Sequence, residues 1–232
     1  MQQQREKDFE ALGNIKTAVL IDGSFFLNRY RSIFPNGKNH KPEEVAKNLY
    51  TLAHSHVAGQ YLYRIFYYDC LPLDKKVYNP ISKKLTDYSK TDMYKFRIEF
   101  IENLKRQRKV ALRLGCLKDK PGFNWFVNKD KLKELIERSI KIEDLKENDM
   151  CRDLRQKGVD IKIGLDIASL AYKRLVNKII LISGDSDFVP AAKVARREGI
   201  DFVLDPLWNH IDSSLFEHID GLKSIWPKPK HK

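Results

Sequence analysis

The sequence predicts an α/β protein, a three-layer α/β/α sandwich on a mainly parallel sheet, with an accessory segment inserted at about 72–150. Three observations carry this. Short apolar runs that stop at turn residues alternate with longer stretches of helical periodicity, the pattern of β-α-β units. The runs at 17–22 and 178–183 are apolar without alternation, as expected of strands covered on both faces. Between about 72 and 150 the alternation breaks up among prolines, lysines and turn residues, so 232 residues suit one domain over 15–226 with an elaboration, followed by a basic tail at 227–232.

Each element has a local reason. Residues 17–22 read as a buried strand that stops at Gly23-Ser24, with a helix from about Phe25. Lys41, Pro42, Glu43 and Glu44 open a helix to about His56, with Val45, Leu49, Leu52 and Ala53 on one face. Tyr61–Tyr68 is the second strand, ending at Asp69, and 71–90 is a surface loop. Helix returns at Asp92–Arg108; Lys109–Gly115 alternates as a third strand, and Phe123–Val127 is a short fourth element. Lys131–Leu145 has an amphipathic pattern carrying Leu132, Leu135, Ile136, Ile140 and Ile142. Residues 157–172 satisfy both periods: Ile161, Ile163, Leu165 and Ile167 alternate, while Ile161, Leu165, Ala168 and Tyr172 share a helical face. Helix is the preferred reading there. Lys178–Ser183 is then a buried strand, 184–187 a turn, Val189–Arg197 a helix closed by Gly199, and Ile200–Leu204 the last strand.

Charge and cysteine usage narrow the class. With 43 Lys and Arg against 31 Asp and Glu the chain carries +12, so it attracts polyanions, nucleic acid first among them, although excess lysine also simply solvates helix faces. Cys70, Cys116 and Cys151 lie far apart without a CxxC pair, which argues for reduced, mostly buried thiols. His54 and His56 fall two apart in a helix, where side chains diverge instead of sharing a metal. No apolar stretch reaches membrane-span length, and the polar Met1–Lys7 lacks a secretory signal. The expectation is a cytoplasmic protein with no membrane partner.

In an open parallel sheet, ligands bind beyond the C-terminal ends of the strands, at a switch in strand order. Asp22 closes the first strand, and Asp185 and Asp187 lie in the turn after Ser183, so three carboxylates are set to face one crevice. Asp166 joins them if the helix after Gly158 crosses that edge. Crowded carboxylates repel one another and are relieved by a cation. An all-oxygen set suits Mg²⁺ or Mn²⁺, which activates water and stabilises a pentavalent phosphate. The local alternative is that each Asp caps the helix after it. That fits a single acid better than it fits Asp185 and Asp187 together, because one helix needs one cap.

Three blocks, VLIDGSF at 19–25, KGVDIKIGLD at 157–166 and LISGDSDFVP at 181–190, resemble the NYN domain, and within it the bacterial LabA-like branch. The resemblance extends over about 15–226 and leaves out most of 72–150. It implies a PIN-like sheet and a ribonuclease that works through one or two divalent ions, with Asp22, Asp166, Asp185 and Asp187 as metal-binding and catalytic residues. Asp160 is implied either on the ion or just behind it, and Ser183 and Ser24 as groups that orient ligands or phosphate. Ser24 departs from the Asn that many relatives carry after Asp-Gly.

Lys83, Lys84, Arg106 and Arg108 are the candidate nucleic-acid contacts, because basic pairs fall in or beside the elaboration with Tyr78, Tyr88 and Tyr94 interleaved. Cations neutralise phosphates while tyrosines stack on unpaired bases. A solvated helix face over buried aromatics explains the same pattern. The expectation is a metal-dependent endoribonuclease of single-stranded RNA, with an RNA-binding regulatory module of little chemistry and a DNA or flap nuclease as alternatives. A homo-oligomer is left open, and the accessory acids Asp119 and Asp130 are expected to take no part in metal binding.

Overall fold

The computed structural model describes residues 14–118, 124–152 and 154–229; Met1–Lys7, Asp119, Phe123 and the end of the basic tail lie outside the described residues. The strands are β1 (Lys16–Asp22), β2 (Tyr61–Cys70), β3 (Lys76–Tyr78), β4 (Leu85–Asp87), β5 (Val110–Lys118), β6 (Trp125–Val127), β7 (Met150–Arg152), β8 (Arg155–Lys157), β9 (Lys178–Ile182), β10 (Asp201–Asp205) and β11 (Gly221–Leu222). The helices are α1 (Gly23–Ile33), α2 (Pro42–Val57), α3 (Asp92–Lys105), α4 (Lys129–Ile136), α5 (Val159–Tyr172), α6 (Val189–Arg197) and α7 (Ser213–Phe216). The described residues fall into two units: those within Met1–Cys70, Glu99–Gly115 and Gly158–Lys232 make the first, those within Leu71–Ile98 and Cys116–Lys157 the second.

The first unit holds a six-stranded parallel sheet in the order β11-β10-β9-β1-β2-β5, flanked by helices as a three-layer α/β/α sandwich. β1 lies at its centre because Ala18–Ile21 are fully buried and have no side to give to solvent. Ile21 pairs with Ile182 of β9 and Asp22 with Tyr68 of β2. From β1 the chain proceeds to β2 and β5 on one side, and later through β9, β10 and β11 on the other. Strand order therefore switches between β1 and β9, where a parallel sheet opens its crevice. Gly23 is needed at the end of β1 because a Cβ there would stand 2.3 Å from the Tyr67 hydroxyl and 2.7 Å from the Tyr68 carbonyl oxygen.

In the second unit β3 pairs antiparallel with β4 and β6 with β7, while the end of β5 pairs antiparallel with β8. Buried Asn79 organises the hairpin: its carboxamide oxygen accepts from the amides of Ile81 and Ser82, and its Nδ2 donates to the Glu147 carbonyl.

Several boundaries differ from expectation. The 71–90 loop contains the β3–β4 hairpin. The helix expected over 131–145 stops at Ile136, because Arg138 turns left-handed (φ 57°) and the amides of Arg138 and Ser139 close back on the carbonyls of Leu135 and Glu134. Without the rest of that helix Ile136 and Ile142 stay exposed. The stretch 99–115, inside the expected elaboration, belongs to the first unit, and β11 extends the sheet past the last expected strand. Of the cysteines only Cys70 is buried; Cys116 is exposed and Cys151 half-buried. Among the described residues no helix is long and apolar enough to cross a membrane.

Candidate active site

Asp22 ends β1 half-buried and also caps α1, its Oδ1 accepting from the Phe25 amide at 3.1 Å. Burial pushes its carboxyl from 3.8 up to about 6; the Phe25 amide opposes this, and repulsion from Asp160 and Asp69 adds to it. Asp69 is buried near the end of β2, accepting from the Tyr67 hydroxyl and the Cys70 amide, each at 2.7 Å.

Across the strand-order switch, Ser183 follows β9 fully buried, and its hydroxyl accepts from the Asp185 amide at 3.4 Å. Asp185 caps the single 3-10 turn Ser186–Phe188 by accepting from the Asp187 amide at 3.0 Å. The intervening residue must be glycine, since a Cβ on Gly184 would come within 2.9 Å of the Phe25 ring and 3.2 Å of Asn209 Nδ2. Asp160 stands in the first turn of α5, two positions past its cap residue Gly158. Burial raises its carboxyl above the ordinary value, with Asp185 and Asp187 adding to the shift. Capping thus accounts locally for Asp22 and Asp185, but Asp187 lies inside its turn and Asp160 inside its helix, so neither is a cap residue.

Asp166 is placed differently. Six residues after Asp160, it lies about 120° away around the same helix. Its Oδ2 accepts from Arg113 Nε and from the Tyr68 hydroxyl, both at 2.9 Å. Burial and that acceptor hold the Tyr68 phenol above its ordinary range. Among the described residues no Lys or Arg forms an ion pair with Asp22, Asp160, Asp185 or Asp187, whereas Asp166 has Arg113.

Of the expected site residues, Asp22, Asp160, Asp185 and Asp187 therefore share one electrostatic neighbourhood, Ser183 supports its turn, and the half-buried Ser24 offers its amide to Asp22. Asp69 was not singled out from the sequence, although an acid closing a predicted strand was the same signal that marked Asp22. The donor set, all carboxylate oxygens, fits a hard divalent cation. As placed, no three His, Cys, Asp or Glu side chains among the described residues are drawn together into an ion site.

The candidate nucleic-acid contacts are not gathered there as one group. Arg106 and Arg108 are exposed in the turn entering β5, at the N-terminal edge of the parallel sheet, while Asp22 lies at the C-terminal edge. Lys83 and Lys84 are exposed in the hairpin turn of the second unit, Lys83 in a left-handed conformation with φ 56°.

Comparison with known proteins places these observations. A sequence model described as the NYN domain matches residues 87–210, more than half of the chain, which takes in Asp160, Asp166, Asp185 and Asp187 but not Asp22 or Asp69. No curated protein matches. Among solved structures, a protein of unknown function from Vibrio parahaemolyticus is similar at 13% identity and a TM-score of 0.47, over 92% of this chain and 94% of that one.

Proposed function

The chain belongs to the NYN domain family, and from that premise we propose that it is a metal-dependent endoribonuclease hydrolysing the phosphodiester bonds of single-stranded RNA. The family is part of the PIN-like nuclease superfamily; NYN domains are generally nucleases, and PIN-like nuclease domains generally use divalent metals. The finer placement in the LabA-like branch rests on the three sequence blocks.

One observation supports this reading above the others: at the switch in strand order, Asp22 and Asp160 are both pushed toward the neutral form by burial and by neighbouring carboxylates, with no Lys or Arg among the described residues paired to relieve them. In the proposed site Asp22, Asp160, Asp185 and Asp187 hold Mg²⁺ or Mn²⁺. When bound, such an ion polarises water and phosphate. Asp166, expected as a ligand, offers only Oδ1, since Oδ2 is committed to Arg113 and Tyr68; its proposed role is to hold the half-exposed Arg113 guanidinium where a phosphate is neutralised. Ser183 fixes the turn that carries Asp185, and Ser24, in the first turn of α1, orients the phosphate.

The test is cleavage of single-stranded RNA with Mn²⁺, with excess chelator, and by the Asp185→Asn variant. Cleavage by wild type in chelator, or at wild-type rate by the variant, overturns the reading. The observation that favours the alternative, an RNA-binding module without chemistry, is that among the described residues no three ligating side chains are drawn together. A rise in melting temperature with Mn²⁺ but no cleavage would select it.

A further inference from the structure

The loop after β10 holds its backbone in an unfavourable conformation. Leu207 and Trp208 are both left-handed, with φ of 46° and 63°, a region that penalises large L side chains. The segment is held by contacts from several directions. Asp205 Oδ1 accepts from the Leu207 amide at 2.8 Å, and the Arg29 guanidinium donates twice to the Leu207 carbonyl, at 3.0 and 2.7 Å. The Trp208 amide donates to the Ser224 hydroxyl at 3.4 Å, and the indole Nε1 donates to the Trp226 carbonyl at 2.6 Å. Leu207 is fully buried, so the core accounts for it, whereas Trp208 remains 43% exposed. The one polar atom of the indole is satisfied within the protein, and the exposed part of the ring is left as a fixed apolar surface.

The residue that follows this surface in the chain reaches the acidic turn. Asn209, the next residue, approaches Gly184 so closely that a Cβ there would lie 3.2 Å from its Nδ2, and the Phe25 ring closes on the same glycine from α1. Gly184 directly precedes Asp185. The chain beyond Trp208 continues with the polar residues Asn209, His210 and Asp212, which suits a flat aromatic ligand with polar edges better than an apolar protein face. Unpaired bases stack on tryptophan whatever their identity, because each has a π-face.

We propose that Trp208 is a stacking platform for an unpaired base of the RNA strand whose scissile phosphate lies at the cation that Asp22, Asp160, Asp185 and Asp187 would hold, and so a determinant of single-strand selectivity. The proposal rests on the ribonuclease reading above. It assigns Trp208 to substrate positioning and gives it no part in bond breaking.

The experiment compares wild type, Trp208→Ala and Trp208→Phe by fluorescence anisotropy, in chelator, with a short labelled oligouridylate and with an abasic strand of the same length. Trp208→Ala should weaken oligouridylate binding about tenfold, Trp208→Phe should recover most of it, and the abasic strand should bind all three alike. Both variants lose the Nε1 bond to Trp226, so a loss shown by Ala and not by Phe reports stacking and not anchoring of the loop. Unchanged binding by Trp208→Ala, equal losses in both variants, an equal loss on the abasic strand, or no binding by wild type each overturns the proposal. Cleavage with Mn²⁺ is read in parallel. The Trp208 binding pattern without cleavage removes the ribonuclease reading alone, and cleavage with binding indifferent to Trp208 removes this inference alone.

Discussion

Two kinds of aspartate sit in the first unit, and they differ in what meets their charge. Asp205, fully buried at the end of β10, accepts from His56 Nε2 at 2.8 Å, from the Leu207 amide and from the Ser224 hydroxyl, and Asp166 has Arg113 and Tyr68. Asp22 neighbours Asp160, and Asp160 neighbours Asp185 and Asp187; for Asp22 and Asp160 burial first, and then these carboxylates, raise the carboxyl. Compensated acids hold the fold together, and removing one leaves its donors stranded. Uncompensated acids burden the fold, as the proposed cation site requires of its ligands before the ion binds. The largest expected effect tests the first half of that contrast. Asp205→Ala leaves several buried donors without an acceptor, at about 1–3 kcal/mol each, and should destabilise by roughly 3 kcal/mol, read as a lower midpoint in urea. A loss below about 0.5 kcal/mol, within the range of ordinary surface substitutions, would remove the distinction.

The second half predicts the opposite pairing. Asp185→Asn keeps the cap geometry but removes a charge, and should lower RNA cleavage about 100-fold, as loss of a preorganised electrostatic group does, with the urea midpoint in chelator unchanged or raised. Asp22→Asn sharpens this through pH. The folded carboxyl titrates near 6, above its ordinary 3.8, so in chelator the native state binds the proton more tightly than the unfolded chain does. Wild type therefore loses stability as pH rises from about 4 through 6, by on the order of 2 kcal/mol. Asn caps as well as Asp, so Asp22→Asn should be the more stable protein at pH 8, with the gap closing toward pH 4. A gap of the same size at both pH values would assign the effect to packing. Smaller still is Asp166→Asn, which weakens a partly exposed ion pair and should cost about 1 kcal/mol or less in stability. If it instead abolished the Mn²⁺-induced rise in melting temperature, Asp166 would belong with the uncompensated acids.

That division was only partly legible in the sequence. β1, β9 and α6 fall close to their expected positions because their signals are local: unbroken apolar runs, an acid or Gly at the turn, Pro near the helix start. The early end of α4 was hidden because Arg138, not Gly, takes the left-handed position that closes it. Asp166 shares a sequence block with Asp160, but its partners Arg113 and Tyr68 lie 53 and 98 residues away, beyond what spacing can register. Asp69 was legible in principle, as the acid at the end of a predicted strand. The two-residue β11 has no apolar period to detect.

The smallest effect concerns where substrate meets the cations that the acidic neighbourhood lacks. Lys83 and Lys84 lie in the second unit, whereas Arg106 and Arg108 lie at the N-terminal edge of the sheet, the edge away from Asp22. If the strand runs along the acidic edge, the two arginines make no phosphate contacts. For single strands each contact contributes about 0.7 to the slope of log K against log salt concentration. Replacing Lys83 and Lys84 together with Gln should therefore reduce that slope by about 1.4 if both touch phosphate, while the Arg106→Gln and Arg108→Gln pair should leave it unchanged. The measurement is affinity for oligouridylate between about 50 and 200 mM salt, in chelator so that no strand is cut. A reduced slope in the arginine pair would route the RNA around to the far edge of the sheet. A flat salt dependence in wild type would mean that the +12 charge solvates the surface and does not recruit nucleic acid.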